Sequence, residues 1–287
     1  MTTHPESVAV YGPGLMGASL LMALRARCPA MKLGAWARRE DALEELRVRG
    51  LVDFSSTDPA AVAADSAVVV LCLPVDKMAG VASSLASALR AGAVVTDVGS
   101  VKQHVVDELE ACFQVGANFV GSHPMCGSEE AGLAAALPDL YAGAVCVVTP
   151  TNRSRPEVVR SVRNLWESVG SRVLEMDPAE HDRAAALASH VPHVAAAMLV
   201  ELAWADSSPA RALCAGGFRD TTRVASGPAG LWTAILALNR TEVARGLGLA
   251  AEQLQAMKSA LEQNNLDEVK SFLESAAHHR RQIVGPL

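Results

Sequence analysis

The sequence predicts an α/β protein, with an N-terminal, doubly wound and mainly parallel sheet followed by an all-α C-terminal domain. Short β-branched runs alternate with helical stretches over the first two-thirds of the chain. Several of those runs, AVVVLCLP among them, are apolar without alternation, as strands covered on both faces are. Past residue 178 only helical patterns are found. With 287 residues, 50% of them hydrophobic and 20% charged, the chain can fill two modest domains, and an aromatic content of 4% makes their cores aliphatic.

Val8 to Tyr11 is the first strand, and Lys32 to Trp36, Ala67 to Leu73, Ala93 to Asp97, Asn118 to Gly121 and Ala144 to Thr149 follow with helices between them. A helix from Glu157 to Val169 and a strand from Arg172 to Glu175 complete the unit. DPAEHD then supplies a helix N-cap and an acidic first turn, which puts the domain boundary near Pro178 and divides the chain into 1–178 and 179–287. Beyond it, HVAAAMLVELAWA and the segments Leu231 to Arg245, Ala250 to Asn264 and Leu266 to Arg281 read as helices. The run Val194 to Ala205 carries few charges on any face, so it packs in a helical core or against a second subunit, and a homodimer is expected.

Charge and composition exclude several functions. A net charge of -6 gives no general attraction for nucleic acid or anionic lipid. No uninterrupted apolar run reaches the roughly 20 residues that span a bilayer, so no membrane role is expected. The N-terminus lacks the basic and long apolar regions of a signal peptide and reads as cytoplasmic. Six scattered cysteines form no CxxC and are expected as free thiols, with no metal site.

VAVYGPGLMGASLLMAL places Gly12, Gly14 and Gly17 in GxGxxG spacing directly after a strand and at the opening of an apolar helix, the context of a Rossmann-type dinucleotide site. Gly12 permits the tight turn, Gly14 lets the backbone approach the pyrophosphate and Gly17 allows helix–strand packing, while Leu15 and Met16 lie in the same phosphate-facing turn. The acidic residue that bonds a ribose 2'-hydroxyl about 20 positions on is absent. Trp36 stands there, followed by Ala37, Arg38 and Arg39. Two guanidinium groups without a carboxylate favour NADP over NAD, the competing reading being that both arginines are solvated residues opening a helix from Arg39 to Arg49.

Three further segments carry chemistry. TDVGSVK, Thr96 to Lys102, lies at the C-terminal edge of a strand, where doubly wound sheets bind ligands. GSHPMCGSEEAG, Gly121 to Gly132, follows another strand, and ASHVPH with GFRDTTR belongs to the helical part. His123 sits in a Gly-rich loop, and a neutral imidazole with an ordinary pKa near 6.5 accepts a proton at cellular pH. Ser100 reads nearly as well as an ordinary helix N-cap before Val101. Arg223 offers a planar fork suited to a carboxylate, or else a surface ion pair, and Arg219 with Asp220 reads as a pair that braces the loop. His190 and His193 share a helical face, and Pro192 between them frees the Ala188 carbonyl and kinks the helix.

In this order and spacing, DVGSVK, GSHPMCGSE, SHVPH and GFRDTTR resemble the prephenate and arogenate dehydrogenases of tyrosine biosynthesis, over nearly the whole chain. The resemblance implies NAD(P)-dependent oxidative decarboxylation, giving 4-hydroxyphenylpyruvate from prephenate or tyrosine from arogenate. It implies that His123 is the catalytic base for the ring hydroxyl and that Ser100 orients that hydroxyl. It further implies that Arg223 grips a substrate carboxylate, that His193 contacts the substrate side chain, and that Ser128 and Trp232 approach the substrate or shape its pocket. His190 is expected to make a structural hydrogen bond, and Trp232 reads equally as core. The presence of His193 tilts the expectation toward prephenate, with arogenate or dual specificity the alternative. The helical part runs to HHRRQIVGPL, so tyrosine inhibition, where it exists, is expected at the active site. Two other classes compete. A β-hydroxyacid dehydrogenase would need a helical-domain lysine, and only Lys258 and Lys270 are there, while a non-catalytic NADP-binding regulator would not need His123, Ser100, His193 and Arg223 together.

Overall fold

The computed structural model describes residues 5–113, 118–127, 130–206 and 208–285. They form two compact units, Met1–Arg240 and Thr241–Leu287. In the first, a five-stranded parallel sheet has the order β3-β2-β1-β4-β5, from β1 (Ser7–Tyr11), β2 (Lys32–Trp36), β3 (Phe54–Ser56), β4 (Val68–Leu71) and β5 (Val94–Asp97). Helices α1 (Leu15–Arg27), α2 (Glu40–Val48), α3 (Pro59–Ala64), α4 (Met78–Leu85) and α5 (Gln103–Cys112) connect the strands. β1, β4 and β5 are buried residue for residue, β1 and β4 as their apolar runs predict and β5 with polar Thr96 and Asp97 buried at its end. β1 pairs with β2 on one side and β4 on the other, so the strand order reverses there and opens a crevice beyond their C-terminal ends.

A second sheet has the order β6-β7-β8, from β6 (Gly121–Pro124), β7 (Val145–Thr149) and β8 (Arg172–Glu175), with helix α6 (Pro156–Ser168) between the last two. β6 runs antiparallel to β7, and β7 parallel to β8. A single parallel bridge, Val95 to Phe119, joins the segment before β6 to β5. The expected strand Asn118 to Gly121 therefore splits into a bridge and a strand that starts at Gly121. His123 consequently lies in β6 rather than in a Gly-rich loop, its backbone held by pairing with Val147. β3 has no counterpart in the sequence reading, because three residues with two serines give no strand pattern.

Helix α7 (Pro178–Ala185) starts where DPAEHD predicts, with the Asp177 carboxylate accepting from the backbone N–H groups of Ala179 and Glu180. It continues through a π-helical turn, Ala186–His190, into α8 (Val191–Asp206). The wide turn falls immediately before Pro192, where the expected kink is relieved by loosening the helix. By length and composition alone the helix Pro178–Ala205 would pass for a membrane span, contrary to the sequence reading. Its buried side, however, carries His181, Asp182 and His190, tied by hydrogen bonds to the sheet domain and to Asn239. Short helices α9 (Ser208–Ala212) and α10 (Gly216–Thr222) and helix α11 (Ala229–Leu238) complete the unit.

The second unit holds most of α12 (Arg240–Glu262) together with α13 (Leu266–Val284). The sequence reading carries one helix to Arg245 and starts another at Ala250; instead the break falls at buried Asn239, and α12 runs through Gly246 and Gly248. Among the described residues every element after β8 is helical. α8 leaves Met198, Leu202 and Trp204 exposed, and Leu254, Leu261 and Leu273 are exposed in the second unit. A pair of helices this small cannot enclose a core of its own.

Candidate active site

The glycine motif sits at the reversal point of the parallel sheet. Gly12 has φ +93, and a Cβ there would meet the Cys72 carbonyl oxygen, at the end of β4, at 2.5 Å. Gly17 packs α1 onto β1, where a Cβ would approach the Gly12 oxygen at 2.4 Å and a Val10 methyl at 2.7 Å. Gly14 meets nothing within 4 Å and caps α1 without any side-chain bond. The first bond of the helix runs from Ala18 N–H to Gly14 O, so the N–H groups of Leu15, Met16 and Gly17 are available at the positive end of the helix dipole. Trp36 is buried, stacked on Tyr11 with centroids 5.6 Å apart, and its Nε1 donates to Thr57 O. Arg38 and Arg39 are exposed beyond β2, Arg39 at the N-cap of α2 with its Nε 3.3 Å from Asp41.

At the C-terminal end of β5 lies a buried polar cluster. Asp97 and Lys102 form an ion pair, both fully buried. Asp97 also accepts from Gly99 N–H (2.8 Å) and Ser122 N–H (3.0 Å), and Lys102 Nζ donates to Ser122 O (2.9 Å). The loop bearing Ser100 is thereby fixed to β6, the strand bearing His123. Ser100 is not the N-cap of α5, which begins only at Gln103. That helix is capped from 80 residues away, since Asp182 Oδ1 accepts Lys102 N–H at 2.7 Å and its Oδ2 accepts Gln103 N–H at 3.0 Å.

His123 is 8% exposed, and its Nδ1 lies 2.8 Å from His181 Nε2. His181 Nδ1 in turn lies 2.8 Å from Asp182 Oδ1. Burial, then the nearby His181, Lys102 and His190, hold the His123 imidazole well below its ordinary pKa, so it is neutral at cellular pH. Asp182 O accepts from Asn239 Nδ2 (2.9 Å), and the same amide nitrogen lies 3.1 Å from His190 Nδ1. His190, fully buried, lies edge-on to Trp232, and His193 stacks on the same indole with centroids 3.5 Å apart and planes 13° from parallel. His193 Nδ1 is buried without a partner, and burial depresses the pKa of that ring also. Trp232 both packs against the core and presents this face to the histidines.

The structure thus brings His123, Ser100, His190, His193 and Trp232 into one neighbourhood. Arg223 lines a cleft of about 420 Å³ with Val200, Phe218, Arg219, Thr222 and Ser226. Ser128 lies outside the described residues. The sequence reading passed over His181, Asp182, Asn239 and the Asp97–Lys102 pair. Asp97 and Lys102 are inside TDVGSVK and His181 and Asp182 inside DPAEHD, so the segments were marked, but long-range partners made them important.

The family model described as the prephenate dehydrogenase nucleotide-binding domain matches residues 20–175, and that of the prephenate dehydrogenase dimerization domain matches residues 177–275. A prephenate dehydrogenase of Bacillus subtilis is 29% identical over 285 residues, covering 98% of this chain and 76% of that protein. A cyclohexadienyl dehydrogenase of Zymomonas mobilis is 30% identical over 275 residues, covering 94% of each. The crystal structure of prephenate dehydrogenase from A. aeolicus in complex with hydroxyphenyl propionate and NAD+ matches with a TM-score of 0.91 at 28% identity, covering 99% of this chain and all of that one.

Proposed function

The chain belongs to the prephenate dehydrogenase family of oxidoreductases, and on that premise we propose that it converts prephenate to 4-hydroxyphenylpyruvate with a nicotinamide cofactor. The observation that carries this reading is His123, a buried, neutral imidazole with Nδ1 engaged and Nε2 left to meet a substrate proton. A nicotinamide cofactor held at Gly14 and the N–H groups of Leu15, Met16 and Gly17 would supply the acceptor for the hydride of the hydroxyl-bearing ring carbon. His123 Nε2 takes the hydroxyl proton as that carbon becomes a carbonyl, and Ser100 orients the hydroxyl. The ring carboxylate leaves as CO2, its bonding pair completes the aromatic ring, and the proton returns from His123 to the phenolate oxygen. Atoms and charge then balance without a further reagent. Arg223 is assigned a substrate carboxylate, His193 and Trp232 the substrate side-chain pocket, and Ser128 a supporting contact.

For the cofactor, the open space over Gly14 and the N–H groups of Leu15, Met16 and Gly17 suit a pyrophosphate. NADP is the preferred form in this reading, with Arg38 and Arg39 holding the 2'-phosphate beyond buried Trp36. Residues 1–178 serve the cofactor and 179–287 the substrate and a homodimer contact, the exposed apolar side chains of α8 and the second unit supporting the latter. The reaction is assigned to the cytoplasm. Relatives of almost equal identity carry prephenate and cyclohexadienyl names, so arogenate remains the second substrate to try.

The test follows absorbance of the reduced nicotinamide with prephenate and arogenate, each with NADP and with NAD. Rapid reduction with prephenate and NADP is expected, and Arg38→Ala should raise KM for NADP roughly tenfold while leaving NAD alone. No reduction in any mixture, with cofactor binding intact, would overturn the assignment.

A further inference from the structure

We propose that His181 and Asp182 are positioning residues that hold His123 in the tautomer protonated at Nδ1, so that its Nε2 carries the lone pair. The inference rests on the dehydrogenase reading for its kinetic consequences and on hydrogen-bond directions for its structural content. Asp182 begins the chain of reasoning. Its two carboxylate oxygens are oriented by backbone donors, Oδ1 by Lys102 N–H and Oδ2 by Gln103 N–H, so the group cannot turn and offers only acceptors. His181 Nδ1, 2.8 Å from Oδ1, must therefore donate. With a single ring proton, held on Nδ1 by that bond, His181 has its Nε2 as an acceptor. His123 Nδ1, 2.8 Å away, then donates to it, and the single proton of neutral His123 is used up on that side. Nε2 is left as the proton-accepting atom.

The same logic excludes the reverse arrangement. With a proton on Nε2, His123 could not receive one from substrate, and Nδ1 would face His181 Nε2 lone pair to lone pair. The three side chains are all buried, His181 at 2% and Asp182 at 4% exposure, so water cannot replace a missing partner at low cost. When His123 accepts the substrate proton, its Nδ1 proton can pass to His181 Nε2, which puts the positive charge beside the Asp182 carboxylate. The reverse transfer restores both rings when the proton goes back to product, so the relay ends each turnover as it began. Asp182 serves two ends at once, since it also fixes the N-terminus of α5 next to the Ser100 loop. Base tautomer and loop position thus depend on one carboxylate.

The experiment uses the full chain with three proteins. His181→Phe fills the space without an acceptor, whereas His181→Gln places a carbonyl oxygen near the Nε2 position, able to accept from His123 Nδ1–H. Removing the carboxylate behind a catalytic histidine in a serine protease costs about 10⁴-fold in kcat through the wrong tautomer. His181→Phe is accordingly expected to lower kcat by roughly 100-fold or more with KM and cofactor Kd within a factor of about three, and His181→Gln to recover most of that loss. Long-range proton–nitrogen spectra of protein labelled with ¹⁵N-histidine read the tautomer directly, and His123 should show protonated Nδ1 and bare Nε2 in the parent and in His181→Gln, with a mixture in His181→Phe. Folded His181→Phe with near-parental kcat, or a parent spectrum with Nε2 protonated, would overturn the proposal. If the parent turns over neither substrate, the dehydrogenase reading fails while the spectrum still decides the tautomer.

Discussion

His190 makes stability depend on pH in a way that can be isolated. The ring is fully buried, its Nδ1 faces the Asn239 amide, and Trp232, His193, His181, Asp182 and the Ser100 backbone surround it. Burial, only partly offset by Asp182, lowers its pKa to about 4, against about 6.5 in the unfolded chain. Below pH 6.5 the unfolded state therefore binds a proton that the folded state refuses, so this contribution to stability is complete above the unfolded pKa and is lost as pH falls toward the folded one. Linkage gives a loss of about 2 kcal/mol between pH 7.5 and pH 5, approaching about 3 kcal/mol below pH 4. His190→Gln keeps an amide acceptor and removes the titration. Urea unfolding of parent and variant at fixed protein concentration should show their stability difference changing by about 2 kcal/mol in the variant's favour between those two pH values. Curves that stay parallel across the range would refute the reasoning, because every other titrating group is common to both proteins.

The depressed pKa of His123 predicts that kcat/KM does not fall as pH drops through 6.5, since the base stays unprotonated there; a break near 6.5 that moves with His123 would contradict it. Gly14→Ala and Gly17→Ala should separate cofactor binding from folding. The first meets no protein atom and should weaken cofactor affinity at unchanged Tm, while the second drives a Cβ to 2.4 Å from Gly12 O and should lower Tm by many degrees, as calorimetry with and without cofactor would show. Lys102→Met leaves Asp97 buried without its cation and should cost about 3–5 kcal/mol in denaturant unfolding, far more than an exposed change such as Lys258→Met.

What could be read from the sequence was mostly local. The glycine turn needs only three positions and a flanking strand and helix, and β1 and β4 are recognisable because buried parallel strands are written as apolar runs. The Asp177 cap was legible for the same reason, its partners being two and three residues away. β3 and the boundaries of β6 were not, because pairing with a neighbouring strand, rather than intrinsic pattern, makes them strands. Ser100 has the residue type of an N-cap, but Asp182 fills that role from another helix.

The candidate site follows the same division, and its least legible part has the largest consequence for chemistry. DPAEHD reads as a cap followed by acidic first-turn residues, which is correct for Asp177 and says nothing of the two residues that end it. Within one hexapeptide, Asp177 acts locally while His181 and Asp182 reach 58 and 80 residues back along the chain, to His123 and Lys102. A spacing rule cannot find such partners, because the distance between them is set by how α7 lies against β6 and α5. The direction of the bonds can nevertheless be deduced once they meet, since a carboxylate only accepts and a neutral imidazole has one proton to give. The protonation state of the base then follows from residues that sequence reasoning had assigned to helix initiation. His123 needs those contacts as much as its own identity, because a histidine of the same pKa in the other tautomer would bind the substrate hydroxyl without being able to deprotonate it.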